Sequence, residues 1–240
     1  MPAIGVMSKT KTVVITGAGS GLGLELTSRY LEKGFTVFAC LRSENSKAKL
    51  LKRNWGSKLH VFKIDLRRSN QVSSLGKKIA KYAGEIDILI NNAGIMHRNE
   101  SIGTLDWKKT HESMTVNAIT PFFVVKSLLK LIRASASPKI INLSSLSGAI
   151  GRVSGFSGLY GYKAGKAALN MMTRILAQEL KGDRIPVVVV HPGTMKTKMG
   201  PENAQLSAAE ASAIIVRLID GIHLENTGKF LNFDGTELQW

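Results

Sequence analysis

KTVVITGAGSGLG, Lys11 to Gly23, is the stretch on which the fold turns. It opens as a short apolar strand, passes through the glycine-rich turn Thr16–Gly23, and runs into LGLELTSRYLEKG, whose apolar spacing is helical and whose Gly34 reads as a C-cap. A strand–turn–helix of this kind is the opening of a dinucleotide-binding unit. Gly17 permits the tight turn, and Gly21 and Gly23 let backbone and helix approach a pyrophosphate, whose charge the helix N-terminus favours. Ser20 and Leu22 lie between these glycines in the same cradle. A plain glycine-rich turn is the competing reading, and the flanking strand and helix weigh against it.

Outward from this stretch, strands and helices alternate. Further strands are expected at FTVFACL, LHVFKI, IDILI, residues 139–144, PVVVV and KFLNF. Helices are expected at 43–56, 69–83, 105–134 with a break before Thr120-Pro121, 160–180 and 206–221. Several strands are continuous apolar runs, as in a sheet covered on both faces. The order predicts an α/β chain: one Rossmann-type, doubly wound parallel sheet of about seven strands with helices on both faces, spanning 1–240 as a single domain. Residues 1–10 read as a flexible extension, and Met7 is an alternative start.

The 240 residues include 44% hydrophobic ones, enough for a sizeable core. No run of about 18 apolar residues suggests a membrane span, and the N-terminus does not resemble a secretory signal. Cys40 is the only cysteine, which excludes an intrachain disulfide and fits a cytoplasmic setting. No Cys/His cluster has metal-ligand spacing. The net charge is +16, and residues 42–81 carry twelve basic side chains against Glu44 and Asp65. Such a surface steers a polyanion, but without aromatic–basic interleaving or a helix-turn-helix signature it does not argue specific nucleic-acid binding.

The chemistry-bearing residues fall at strand ends. Arg42 follows the second strand, where an acidic residue would hold a ribose 2′-hydroxyl; an arginine there suits a 2′-phosphate and favours NADP(H) over NAD(H). Asp65 follows the third strand and is placed to accept from an adenine amino group, with Leu66 offering its backbone; a turn residue is an equal reading. Asn92, Ala93 and Gly94, in NNAG, follow the fourth strand, where close backbone approach is possible. Tyr162 and Lys166 are one helical turn apart and share a face, so that the ammonium could lower the phenol pKa. With Ser145 at a strand end, they form a kit for proton transfer to or from an alcohol. Tyr160 lacks this pairing, because Ala164 lies four residues on. His97, His111 and His191 read as surface or packing residues.

TGAGSGLG, NNAG, Asn117 in TVNAITPF, Ser145, YKAGK and HPGTMKT occur in an order that resembles the short-chain dehydrogenase/reductase family, over residues 11 to about 235. The long insert before Tyr162 and the ending TGKFLNFDGTELQW are most similar to its C-factor and sniffer-type carbonyl reductases. The resemblance implies that Tyr162 is the general acid or base. Lys166 would hold the nicotinamide ribose and tune Tyr162, Ser145 would bind the substrate oxygen, and Asn117 would hold a relay water. Pro192 and Gly193 would wall the nicotinamide, with Met195 and Thr197 reaching its carboxamide. It also implies a homodimer or homotetramer built on helices 105–134 and 160–180. Ser145 precedes Tyr162 by 17 residues, a longer gap than the family's commonest, and the added residues lie in a segment with five glycines. Ser147 is the fallback for Ser145, and Ser144 is expected to face the other way. Met96, Leu146, Phe156, Leu159, Met195 and Met199 would bound an apolar substrate pocket under a lid from Met199 to Leu206. The reading is an NADPH-dependent reductase of a ketone or aldehyde. The alternative is a cofactor-bound signalling or regulatory protein of C-factor type with little turnover.

Overall fold

In the computed structural model the described residues are 10–46, 55–155, 158–197, 199–200, 203–204 and 206–240. The strands are Thr12–Thr16 (β1), Thr36–Leu41 (β2), Leu59–Lys63 (β3), Ile88–Asn91 (β4), Lys139–Leu143 (β5), Val187–His191 (β6), Met195–Lys196 (β7), Leu206–Ser207 (β8) and Phe230–Asn232 (β9). Seven of them form one parallel sheet in the order β3-β2-β1-β4-β5-β6-β9, and β7 pairs with β8 outside it. The order reverses direction between β1 and β4. The crevice beyond the carboxyl ends of those two strands is where such sheets bind ligands.

Helices Gly21–Glu32 (α1), Ser69–Ser73 (α2), Leu75–Ile79 (α3), Trp107–Met114 (α4), Thr120–Arg133 (α5), Tyr160–Glu179 (α6) and Ala208–Asp220 (α7) cover the sheet. Side chains alternate across a strand, so each face of the sheet has its own core. Val13 and Ile15 of β1 pack with Leu26 and Tyr30 of α1 and Ile215 and Ile219 of α7. Val14, between them, packs with Phe38, Leu89 and the α5 residues Leu128 and Ile132 on the other face. Two buried faces explain why these strands are apolar at every position.

Three helix expectations change. The 69–83 helix is two short ones, because the Ser73 and Ser74 hydroxyls donate back to the Asn70 and Gln71 carbonyls and compete with the backbone ladder. A Cβ on Gly76 would lie 1.8 Å from the Ser127 carbonyl, so glycine is what lets α3 press against α5. No break precedes Pro121. Residues Thr115–Ile119 form a π-helical turn that joins α4 to α5, and this wider turn absorbs the donor that proline lacks. Residues 206–207 belong to β8, so the last long helix starts at Ala208, capped by Ser207 and Glu210 in a reciprocal box. Of the 43–56 expectation, 44–46 are helical and Gly56–Lys58 is a 3₁₀ turn; 47–54 lie outside the described residues, as does most of the 1–10 extension.

Gly34, at φ +84°, terminates α1 as expected. The α4–α5 unit, Trp107–Arg133, is long and apolar enough to cross a membrane by length and composition alone, although lysines interrupt its apolar run. More than half of that stretch is buried within the fold, as in a core helix.

Candidate active site

A cleft of about 830 Å³ opens at the carboxyl ends of β1, β2, β4, β5 and β6. Of the residues singled out in the sequence, Gly17, Ser20, Gly21, Leu22, Gly23, Arg42, Asp65, Leu66, Asn92, Ala93, Gly94, Ser145, Tyr162, Lys166, Pro192, Gly193, Met195 and Thr197 all line it. Asn117 is fully buried just behind it.

The turn after β1 is built for close approach. Gly17 has φ +67°, and a Cβ there would meet the Ala93 backbone at 2.8 Å. A Cβ on Gly23 would lie 2.2 Å from the Gly17 carbonyl. Ser20 sits at the N-cap of α1 without a capping bond from its side chain, and the first turn of that helix carries no acidic residue. The N–H groups at this end are therefore left to a group from outside the helix, and an anion suits them. Thr197 faces the same turn, with its methyl 3.7 Å from where a Gly21 Cβ would be.

The adenosine end departs from expectation in two ways. The Asp65 carboxylate is not open. Its Oδ1 accepts from Arg67 Nε at 2.8 Å, its Oδ2 accepts from Arg67 NH2 at 2.7 Å, and these bonds pull its pKa down to about 2. The Leu66 carbonyl accepts from the Thr120 hydroxyl. Arg67 also reaches Glu112 at 2.7 Å, and Glu112 in turn meets His97 Nε2 at 3.2 Å. His97 thus has an acidic partner fifteen residues away that sequence spacing did not reveal. Glu44 is engaged with Lys63, and Arg42 lines this end beside Ser43 and Ser46, near the Asp65–Arg67 pair.

Asn92 lines the cleft, but its amide is spent on structure. Nδ2 donates to the Thr16 carbonyl at 2.8 Å and to the Gly17 carbonyl at 3.2 Å, tying the end of β4 to the turn after β1. Asn117, in the π-helical turn, holds Ile95 through both amide atoms: Nδ2 donates to its carbonyl and Oδ1 accepts from its N–H. The side-chain amide is thus spent on Ile95, and the Asn117 carbonyl lacks the α-helical donor that Pro121 cannot supply.

Strand β5 ends at Leu143, so Ser145 lies two residues past it and caps the short turn Leu146–Gly148 by accepting from Ser147 N–H at 3.1 Å. Ser144 also lines the cleft, but its hydroxyl is spent: it donates to Asn170 Oδ1 at 2.7 Å. Ser145 and Tyr162 are hydrogen-bonded to each other. Burial raises the Tyr162 pKa, and the Ser145 bond only partly offsets it. This overturns the expectation that Lys166 lowers it: the ammonium lies 5.9 Å from the Tyr162 ring centroid and donates to the Leu143 carbonyl at 2.8 Å instead. Lys166 is 4% exposed, and burial lowers its own pKa to about 8.

Met96, Leu159, Met195 and Met199 line the cleft; Leu146 does not, and Phe156 lies outside the described residues. Of the expected lid, 201–202 and 205 are likewise outside them. Arg98, not foreseen, reaches the Met199 and Gly200 carbonyls. His191 also lines the cleft, where burial drives its pKa to about 4 and keeps the ring neutral. Trp240, half-buried, packs on Phe230 at 5.4 Å with Arg174 over its ring, and it does not line the cleft.

The family model for short chain dehydrogenases matches residues 11–207. C-signal of Myxococcus xanthus is 33% identical over 157 residues, covering 65% of this chain and 94% of its own. Two solved structures superpose with TM-scores of 0.89 over 97% of this chain and all of theirs: NADPH-bound carbonyl reductase from chicken fatty liver, at 25% identity, and carbonyl reductase Sniffer of D. melanogaster, at 29%. With the glycine cradle, the Tyr162–Lys166 turn and the parallel sheet in one crevice, the chain belongs to the short-chain dehydrogenase family.

Proposed function

We propose that the protein is an NADPH-dependent carbonyl reductase that converts an apolar ketone or aldehyde to its alcohol. The observation that carries this reading is the convergence of Ser145, Tyr162 and Lys166 in one cleft with the open N-terminus of α1 and Arg42. The residues present fit a phosphorylated dinucleotide: close backbone approach at Gly17 and Gly23, unspent donors at α1 and a guanidinium at the ribose end. Similarity to a reductase solved with NADPH points the same way. The cofactor, when bound, supplies hydride to the carbonyl carbon.

The chain's own groups handle the proton and the orientation. A substrate oxygen at the Ser145–Tyr162 pair accepts from both hydroxyls, and Tyr162 gives up its proton as the alcohol forms. A phenol whose pKa burial has raised is protonated at neutral pH, the state that a reductase needs. Lys166, with its pKa lowered to about 8, exchanges protons near working pH and resupplies Tyr162 through a water held at the Asn117 carbonyl. Met96, Leu159 and Met195 exclude water from the reacting carbon. The test is NADPH oxidation against a panel of ketones, quinones and aldehydes.

Two predictions refine the assignment. Ser145→Ala is expected to lose most turnover and Ser147→Ala little, because the Ser145 hydroxyl bonds Tyr162; the reverse outcome would move the role to Ser147. Arg42→Ala is expected to lower kcat/KM with NADPH about tenfold or more and to leave that with NADH unchanged, the scale of one charge-assisted phosphate contact. Equal loss with both cofactors would show that Arg42 does not read the 2′-phosphate.

Similarity to C-signal supports a second reading, a cofactor-bound signalling protein. Signalling retained in Tyr162→Phe, with no carbonyl reduced by the unaltered protein, would favour it. The reading also includes a homodimer or homotetramer: Ile119 and Phe123 on the α4–α5 unit and Met171 and Ile175 on α6 are 42–63% exposed. Sedimentation equilibrium would decide it.

A further inference from the structure

Helix α6 carries Tyr162 in its first turn, and it begins badly by local rules. Its N-cap is Leu159, which has no side-chain acceptor, sits at φ +62° and follows Gly158 at φ +61°. Leucine is among the poorest N-cap residues, and a left-handed conformation is costly for a non-glycine residue. The first turn carries no acidic residue. The N–H groups there have no partner within the helix.

The missing acceptor comes from Glu100, 61 residues earlier, on the segment that follows β4. Its Oε2 accepts from Gly161 N–H at 3.2 Å. The two backbones also touch: a Cβ on Gly158 would lie 2.6 Å from the Glu100 carbonyl. Glu100 is 6% exposed and has no cationic partner among the described residues, a rare state for a glutamate. Its other oxygen, Oε1, is buried without a partner, and so are the hydroxyls of Thr110 and Ser113. Both α4 residues abut Gly161, where a Cβ would come within 3.1 Å of the Ser113 oxygen and 3.2 Å of the Thr110 Cα. Three unpaired buried oxygens around one glycine are the setting in which a protein holds an internal water.

We propose that Glu100 is a positioning residue for the reaction: its carboxylate caps α6 from outside the helix and, through a buried water shared with Thr110 and Ser113, sets where the Tyr162 hydroxyl stands. This rests on the reductase reading above. The carboxylate meets the positive end of the α6 dipole, and the residue it bonds immediately precedes Tyr162. Release of this cap frees the strained 158–159 turn, and Tyr162 moves with it. A displacement of about 1 Å at a reacting group lowers turnover up to about 100-fold.

The first test uses the unaltered protein. Amide hydrogen exchange is expected to show Gly161 N–H protected about tenfold or more relative to an uncapped first-turn amide; fast exchange would overturn the cap. The second compares two variants. Glu100→Ala is expected to lower kcat about 10- to 100-fold while NADPH affinity, read by fluorescence, stays within about twofold. Glu100→Gln keeps an acceptor for Gly161 N–H and a donor for the hydroxyls, and is expected to restore most of the turnover. A wild-type kcat in Glu100→Ala, or a Glu100→Gln as impaired as Glu100→Ala, overturns the proposal. Should Glu100→Ala not fold, the exchange measurement and Glu100→Gln still decide it. Should the unaltered protein reduce no carbonyl, the reductase reading fails, and the exchange result still reports on the cap.

Discussion

Tyr162→Phe is expected to lower kcat/KM for carbonyl reduction by about 10³-fold, within the range that a positioned general acid supplies. It removes one oxygen, the one hydrogen-bonded to Ser145, and leaves the ring in place against Lys166. NADPH affinity should change little, because the glycine cradle and Arg42 are untouched. The loss should therefore appear in kcat rather than in cofactor binding, and single-turnover kinetics with fluorescence titration separates the two. Substantial reductase activity in this variant would remove Tyr162 from the chemistry.

Lys166→Met is expected to produce a protein that is more stable at neutral pH and about 100-fold slower, the scale of lost proton-transfer assistance. The physical reason lies in burial. Water hydrates the ammonium well, the folded site does so poorly, and the single bond to the Leu143 carbonyl does not compensate. The group's folded pKa, about 8, is below its ordinary 10.5. Below pH 8 both folded and unfolded chains carry the proton, and the folded state bears the full cost. Between pH 8 and 10.5 the unfolded chain binds more protons, so stability should rise with pH by roughly 3 kcal/mol. Methionine has a similar length and no charge. Its advantage should be largest at pH 7, about 2 kcal/mol after the unpaired Leu143 carbonyl is allowed for, should vanish at about pH 9.5, and should reverse by about 1 kcal/mol at pH 10.5. Denaturant melts of both proteins at pH 7 and 10.5 measure this difference directly, and the difference cancels the general relief of surface charge repulsion. A variant less stable than the parent at pH 7 would show that the buried ammonium is not a cost.

The same balance explains why the lysine is poised to work. Burial that destabilises the charged form also brings its proton within reach of neutral pH. Burial shifts Lys166 down and Tyr162 up, and in the proposed reduction that combination suits donation from the phenol with the lysine as the nearby exchangeable group. A lysine that simply lowered its neighbour's pKa would favour the phenolate, which suits alcohol oxidation rather than reduction.

The residues near one another in the chain were legible from their order alone. Lys11–Gly23 determined the strand, the turn and the helix, because glycine placement and apolar spacing act over a few residues. The four-residue step from Tyr162 to Lys166 is local in the same way: Tyr162 lines the cleft with Lys166, whereas Tyr160 is 39% exposed and does not line it. Continuous apolar runs sufficed for a sheet buried on both faces, since no half-exposed strand tolerates them.

Tertiary structure decided whatever depends on partners far apart in the chain. Asp65 is occupied by Arg67, and Arg67 is itself held by Glu112 on another helix, a choice that residue types alone do not express. His97 finds that same glutamate. Ser144 and Ser145 both line the cleft, and only the fold shows that the Ser144 hydroxyl is spent on Asn170 while Ser145 is left to Tyr162. Glu100 reads in the sequence as one more surface acid. In the fold it supplies, across 61 residues, the acceptor that the first turn of α6 cannot find in its own sequence. Helix and turn preferences are short-range and survive in the chain; the pairing of a buried donor with its acceptor is enforced only when packing removes water and leaves each group one neighbour to bond.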